Sequence, residues 1–189
     1  PILWHIMKIY SHFGFTDFIL CLGYKGQMIK QYFLDYLYSH SDFTMNLSSP
    51  GRIAFHGSHQ ENRWNITLAD TGLDTMTGGR IRRIEKYVDT DPFFVTYGDG
   101  VADINLKDLL AFHKKQGKIA TMTGVQPQSQ FGMVEADGSG TVLEFKEKPV
   151  LDNWVNGGFF VFNRSVFRFL DDASVLEKGR PGSYIESRV

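Results

Sequence analysis

A single cysteine, Cys21, leaves this 189-residue chain without an internal disulfide or a cysteine-built metal site. A reducing, cytoplasmic setting is the expectation. Neither sign of charge dominates: 20 Lys and Arg stand against 21 Asp and Glu, for a formal net charge of −1. The basic excess of a nucleic-acid binder is absent. No apolar run approaches the roughly 18 residues a membrane span needs, and no secretory leader pattern is visible. Neither nucleic acid nor membrane is therefore an expected partner. A Gly-x-Ser-x-Gly elbow and a supported Cys–His pair are both missing, so covalent hydrolase chemistry finds no foothold. The six histidines, His5, His12, His40, His56, His59 and His113, are joined by no further ligand at metal spacing and read as structural or surface groups.

What is present is ordinary globular material. Hydrophobic residues make up 42% and aromatics 14%, with 16 Phe, enough to fill one sizeable core. Helical spacing runs through Ile2, Leu3, Ile6, Met7, Ile9, Tyr10 and Phe13, stopping at Gly14. Phe18–Leu22 reads as a short buried strand, and Met28–Leu37 as a second helix. Short strands are expected at Phe43–Leu47, Ile53–His56 and Trp64–Leu68. A short helix should follow Gly78-Gly79. Asn105 is expected to be an N-cap by residue type, three residues before Asp108. Beyond Gly117 four more strands are expected, with Asp137-Gly138 as a hairpin turn, and a last helix at Ser165–Leu170. Strands alternating with helices argue for a mostly parallel sheet flanked by helices, with an antiparallel part added later. One domain over residues 1–176 is the simplest division. The polar stretch from Asp171 onward is expected to be poorly ordered, with 177–189 as a tail.

The segment Phe93-Phe94-Val95-Thr96-Tyr97-Gly98-Asp99-Gly100 carries the most information. An apolar strand ends at a lone carboxylate. That places Asp99 at the carboxyl edge of a sheet, where open α/β folds bind ligands, and where it could hold a hard cation such as Mg²⁺. An Asp-Gly turn without chemistry is the plain alternative. Thr71, with Thr77-Gly78-Gly79-Arg80, lies between a strand and a helix. The two glycines would let a ligand approach the backbone, and Arg80 adds a cation. Glu147 and Lys148 end a strand before Pro149; Lys148 could reach a phosphate. Asn156-Gly157-Gly158 opens another strand, where glycines often mark close approach of a ligand or of backbone. Each of these also has a plain structural reading as a loop, a charged edge or a bulge.

In their order and spacing, Gly98-Asp99, Phe131-Gly132, Phe145-x-Glu147-Lys148-Pro149 and Asn156-x-Gly158 resemble the sugar-1-phosphate nucleotidylyltransferase family. The resemblance runs from Pro1 to about Leu176 and implies a Rossmann-like nucleotidyltransferase fold. The wording of Gly23-Tyr24-Lys25-Gly26, Thr77-Gly78-Gly79-Arg80 and Tyr97-Gly98-Asp99-Gly100-Val101-Ala102-Asp103 is closest to members that act on CTP and α-D-glucose 1-phosphate. A sugar-phosphate oxygen would attack the α-phosphorus of CTP, giving CDP-glucose and pyrophosphate. In the family this product feeds dideoxyhexose synthesis for bacterial surface polysaccharide, the O-antigen of lipopolysaccharide. By the same resemblance Asp99 would hold Mg²⁺ and Lys148 the sugar phosphate. Gly132, Glu147, Asn156 and Gly157 would line the sugar side, Thr71, Thr77, Gly78, Gly79 and Arg80 the nucleotide side, and Gly98 would also touch substrate. A homo-oligomer is implied. UTP or dTTP in place of CTP, and a non-catalytic nucleotide-sugar binding module, stay open. A glycosyltransferase would want Asp-x-Asp after a strand, whereas Asp99 and Asp103 are four apart. The family's glycine-rich triphosphate loop would precede Pro1, and a second metal-binding Asp would follow the last residue. The chain as given is thus expected to lack the first strand of its sheet and to be unstable and inactive alone.

Overall fold

The computed structural model describes residues 1–49, 51–57, 61 and 63–178. Helix α1 spans Ile2–His12, and its chain is turned at Gly14, whose φ of 91° suits only glycine well. Strand β1 (Asp17–Leu22) follows. The expected second helix is two, α2 (Gly26–Leu34) and α3 (Tyr36–His40), broken at Asp35. A small antiparallel pair, β2 (Asp42–Met45) and β3 (Ile53–His56), leads to β4 (Asn65–Asp70). Helix α4 (Thr77–Arg83) precedes β5 (Phe93–Thr96). Helix α5 (Leu106–Gln116) opens on Asn105, whose side-chain oxygen accepts from the Lys107 and Asp108 amides, and closes at Gly117 with φ 62°. Both are the caps the residue types call for. Strands β6 (Ala120–Val125), β7 (Met133–Ala136), β8 (Val142–Lys146) and β9 (Val155–Phe162) complete the sheets. The expected last helix is a 3-10 helix at Arg164–Phe169, and a further 3-10 turn spans Leu176–Lys178.

Alternating strand residues assign the layers. Ile19 and Cys21 of β1, Phe93 and Val95 of β5, and Phe160 and Phe162 of β9 share one core with Ile81, Val166, Phe167 and Leu176. Phe18, Phe94, Phe159 and Val161 point the other way, into a core with Ile6 and Tyr10 of α1 and Leu106 and Leu109 of α5. Strands from both hydrogen-bonded groups feed the same two cores, so they form one layer between two layers of helices. This is the α/β architecture that the sequence pattern implies.

The strand directions differ from expectation. Strands β1 and β4 pair in parallel, while β2–β3, β5–β9, β6–β9 and β7–β8 pair antiparallel. The sheet is mixed, as the expected antiparallel part requires, but among the described strands only β1–β4 pair in parallel, so parallel pairing does not predominate. The crossover through α5 does leave β5 and β6 pointing the same way. However, β9 returns directly from the β7–β8 hairpin, with no helix between, and slots in the middle of the order β5-β9-β6. Strand β5 pairs on one edge with β9, and β1 on one edge with β4; the opposite edges carry no strand among the described residues.

Residues 171–178 are not the loose stretch expected. Leu176 is 2% exposed, Asp172 pairs with Arg83 at 2.8 Å, and the Gly79 amide donates to the Ser174 carbonyl. The expected tail beyond Lys178 lies outside the described residues. No described helix is long and apolar enough to cross a membrane.

Candidate active site

The predicted residues converge on one end of the sheet. Strand β5 ends at Thr96, just before Tyr97-Gly98-Asp99. Strand β9 begins beside that end, with Thr96 opposite Phe159, and Val155 opposite the last residue of β6. Strand β4 runs out at Asp70, just before Thr71. An isolated bridge between Gln128 and Val150 ties the root of the β7–β8 hairpin to the same region.

On the nucleotide side, Thr71 is 1% exposed and its hydroxyl donates to the Leu22 carbonyl at 2.9 Å. Arg80 turns inward. Its Nη1 donates to Thr71 Oγ1 at 2.8 Å and to the Leu22 carbonyl at 3.2 Å, and Nη2 donates to the Leu73 carbonyl at 3.1 Å. The guanidinium thus clamps the ends of β1 and β4 together. Gly23 makes room for it: a Cβ there would sit 2.6 Å from both terminal nitrogens. Gly78 and Gly79 have a similar explanation. Their Cβ atoms would meet Ser174 at 2.8 Å and the Asp172 carbonyl oxygen at 2.4 Å, so α4 can lie flush against residues 172–174 only where it lacks side chains.

A chain of hydrogen bonds then crosses the site. Leu176 N–H donates to Thr77 Oγ1 at 2.9 Å, and Thr77 donates to Glu177 Oε2 at 2.8 Å. The Tyr97 hydroxyl donates to Glu177 Oε1 at 2.6 Å and accepts from Asn156 Nδ2 at 2.9 Å. Asn156 Oδ1 accepts from the Gly158 amide at 2.8 Å, which fixes the amide's orientation. Gly158, at φ 79°, brings the backbone against the Tyr97 ring, where a Cβ would come within 2.8 Å. Burial, and next the bond to the Glu177 carboxylate, push the Tyr97 phenol up to about 12, with the Asp99 charge adding to the effect. Burial works to raise the Glu177 carboxyl, but its bonds from Tyr97 and Thr77 outweigh that and hold it below its ordinary value.

On the sugar side, Gly132 lies against Glu147: a Cβ at 132 would be 3.0 Å from Glu147 Oε2 and 2.5 Å from the Phe145 ring. Strand β8 stops at Lys146, and Lys148 adopts a left-handed backbone with φ 44°. That conformation is unfavourable for a residue with a Cβ. It bends the chain so that Glu147 and Lys148 no longer follow the strand's strict alternation. The Lys148 carbonyl is held by Gln128 Nε2 at 2.9 Å. Gly157 faces Thr123 and Val125, where a Cβ would approach within 2.9 Å, so strand packing accounts for its missing side chain.

Asp99 is exposed between Gly98 and Gly100, which have open space around them. It is a hard oxygen donor at the sheet end. A magnesium site of one or two carboxylates completed by substrate phosphates suits such a position. Among the described residues no group of three or more His, Cys, Asp or Glu could hold a metal without that help.

The histidines stay out of the site. His113 is 2% exposed, with Nδ1 bonded to Thr121 Oγ1 and Nε2 to Asn163 Oδ1, a structural role. His56 bonds Thr44, His40 stacks on Tyr36, and His59 lies outside the described residues. A groove of about 870 Å³ between α1 and residues 101–104 includes His5, Lys8 and His12 but none of the predicted site residues. Tyr97 and Glu177 were not anticipated as site residues. Tyr97 stands next to Gly98-Asp99 in sequence and could have been found that way. Glu177 follows the expected domain end, and no local pattern marks it.

The chain has counterparts among known proteins. Residues 1–184 match the nucleotidyl transferase family model, and the chain belongs to that family. It is a nucleotidyltransferase, of the class that acts on sugar 1-phosphates. The chain is 47% identical over 182 residues to the probable glucose-1-phosphate cytidylyltransferase of Bacillus subtilis, covering 96% of this chain and 70% of the relative. It is 48% identical over 181 residues to the glucose-1-phosphate cytidylyltransferase of Salmonella typhi, covering 94% and 69%. A UTP–glucose-1-phosphate uridylyltransferase of Synechocystis is 25% identical over 190 residues, covering 95% and 45%. Among solved structures, HddC from Yersinia pseudotuberculosis superposes with a TM-score of 0.59 at 18% identity, over 94% of this chain and 70% of that one. This likeness supports the fold.

Proposed function

We propose that the protein transfers a cytidylyl group from CTP to α-D-glucose 1-phosphate, giving CDP-glucose and pyrophosphate. The observation that carries this reading is the gap in identity: 47% and 48% to glucose-1-phosphate cytidylyltransferases against 25% to a uridylyltransferase. In the reaction, a phosphate oxygen of the sugar phosphate forms a bond to the α-phosphorus, and the bond from that phosphorus to the bridging oxygen breaks. Both electrons of that bond leave with pyrophosphate. Such chemistry depends on positioning and charge neutralisation more than on covalent work by the protein.

In this reading Lys148 binds the sugar phosphate as a point charge. Gly132, Glu147, Asn156 and Gly157 border the sugar and Thr77 the nucleotide, while Gly78 and Gly79, expected on the nucleotide side, instead let α4 pack on residues 172–174. Thr71 and Arg80 act from below, by fixing the ends of β1 and β4. Gly98 leaves the approach to Asp99 open, and Asp99 holds Mg²⁺. When bound, the ion neutralises phosphate charge and orients the triphosphate. Homo-oligomeric assembly is part of the proposal and is read by light scattering.

The test is pyrophosphate release by the natural gene product with glucose 1-phosphate, Mg²⁺ and each of CTP, UTP, dTTP, ATP and GTP. CTP should lead by at least tenfold in kcat/KM. Preference for UTP or dTTP would move the assignment to another base. No turnover with any of them, while CDP-glucose still binds, would favour a binding module.

A further inference from the structure

We propose that Glu177 is a positioning residue that fixes the spacing between the nucleotide and sugar sides of the site, acting through Tyr97. The proposal rests on the cytidylyltransferase reading and goes beyond it, since neither residue belongs to the expected ligand sets.

The geometry determines every donor in the relay. Asn156 Oδ1 accepts the Gly158 amide, so Nδ2 must be the group facing Tyr97. The Tyr97 oxygen accepts there and its own proton goes to Glu177 Oε1. Thr77 Oγ1 accepts the Leu176 amide, so its hydroxyl proton is directed to Glu177 Oε2. Both carboxylate oxygens thus accept, and only an ionised glutamate satisfies both ends. The relay begins on α4, among the residues assigned to the nucleotide. It ends on Asn156, the second residue of β9, among those assigned to the sugar. It passes over the end of β5, one residue before Gly98-Asp99. Among the described residues no strand ladder connects β9 or β5 to α4, so beyond the shared core packing of Ile81, Phe93 and Phe160 this relay is a polar link between them at the site. Charge-assisted hydrogen bonds are shorter and stronger than neutral ones, which suits the 2.6 Å bond from Tyr97. In-line phosphoryl transfer is sensitive to such spacing, because reacting atoms must be held about 3–3.5 Å apart and a misplacement of about 1 Å can cost about a hundredfold.

The experiment compares kcat and KM for both substrates in the natural gene product and in Glu177→Gln, Glu177→Asp, Tyr97→Phe and the Tyr97→Phe/Glu177→Gln double variant, with thermal melts of each. Glutamine cannot accept at both ends, because its amide nitrogen donates. The expected result is a loss of about tenfold in kcat for Glu177→Gln and for Tyr97→Phe, the size of one charge-assisted hydrogen bond. KM should change less than about threefold. Glu177→Asp, which keeps two acceptor oxygens, should recover part of the loss. The double variant should be no slower than the slower single, as residues acting through one link are non-additive. Unchanged kcat, multiplying losses in the double variant, or a loss confined to KM would each overturn the proposal. If Glu177→Gln does not fold, Tyr97→Phe, which removes a single oxygen, carries the test. An unsubstituted protein that transfers no nucleotidyl group refutes the functional reading itself, a result distinct from an active enzyme indifferent to Glu177.

Discussion

Replacing Gly79 by alanine should destabilise this protein, although the same change in most exposed helices stabilises. In a helix interior alanine is favoured over glycine by about 1 kcal/mol. Here the new methyl would lie 2.4 Å from the Asp172 carbonyl oxygen and 3.0 Å from Thr75 Cγ2. One neighbour is backbone, so relief requires residues 172–174 to move away from α4. Overpacking of this kind costs about 1–3 kcal/mol. Moving the segment also strains the bond from the Gly79 amide to the Ser174 carbonyl, worth about 1 kcal/mol. It also threatens the burial of Leu176, worth about 2 kcal/mol if fully lost. Set against the propensity gain, the net loss should be about 2 kcal/mol. For a chain of this length that is a fall in Tm of about 4–8 °C. Urea titration of both proteins, followed by circular dichroism, reads the difference as a lower midpoint at unchanged slope. A midpoint equal to or above that of the unsubstituted protein would refute the claim that these glycines exist to let α4 meet residues 172–174.

Other outcomes follow from the same geometry. Asp99→Asn should abolish most nucleotidyl transfer, by about a hundredfold or more, with Tm unchanged within about 1 °C because Asp99 is exposed; kinetics and a thermal melt check both. The Cys21 thiol is pushed up to about 11, by burial first and against the pull of Arg80. At pH 8 it should therefore react with a disulfide reagent about a hundredfold slower than a free thiol, for want of thiolate. Glu177 and Asp172 both have lowered carboxyl values: Glu177 through its bonds from Tyr97 and Thr77 against an opposing burial effect, and Asp172 through the Arg83 hydrogen bond. A lowered folded value stabilises above the unfolded value and is lost as pH falls through the folded one. Stability should then drop below about pH 4.5, and Glu177→Gln should narrow the Tm difference between pH 6 and pH 4.

The features readable in the sequence are those whose cause is local. Asn105 and Gly117 bracket α5 because cap chemistry needs only a few neighbouring residues. The run from Phe93 to Thr96 reads as a strand because both of its faces are buried, giving an unbroken apolar stretch. The placement of Gly98-Asp99 at its end follows directly. Non-local causes were hidden. Nothing near Asp35 signals that the helix after Gly26 should break there. The order β5-β9-β6 depends on where the last strand inserts, and no periodicity encodes an insertion point. Gly78-Gly79 suggested room for a ligand, but the atoms that fill the space come from residues 172–174, almost a hundred positions later. The same distance hid Glu177, a polar residue in a polar stretch until Thr77 and Tyr97 are set beside it.

The central position of β9 has a consequence for how this molecule is made. Strands β5 and β6 touch no common strand until Val155–Phe162 enters between them. A ribosome will have exposed the apolar side chains of β5 for about sixty residues of synthesis, and those of β6 for about thirty, before the strand that joins them emerges. During that interval the nascent chain offers sticky, unmatched edges. Production should therefore respond strongly to whatever slows elongation or shields the growing chain before Phe162 appears, and far less to events after it.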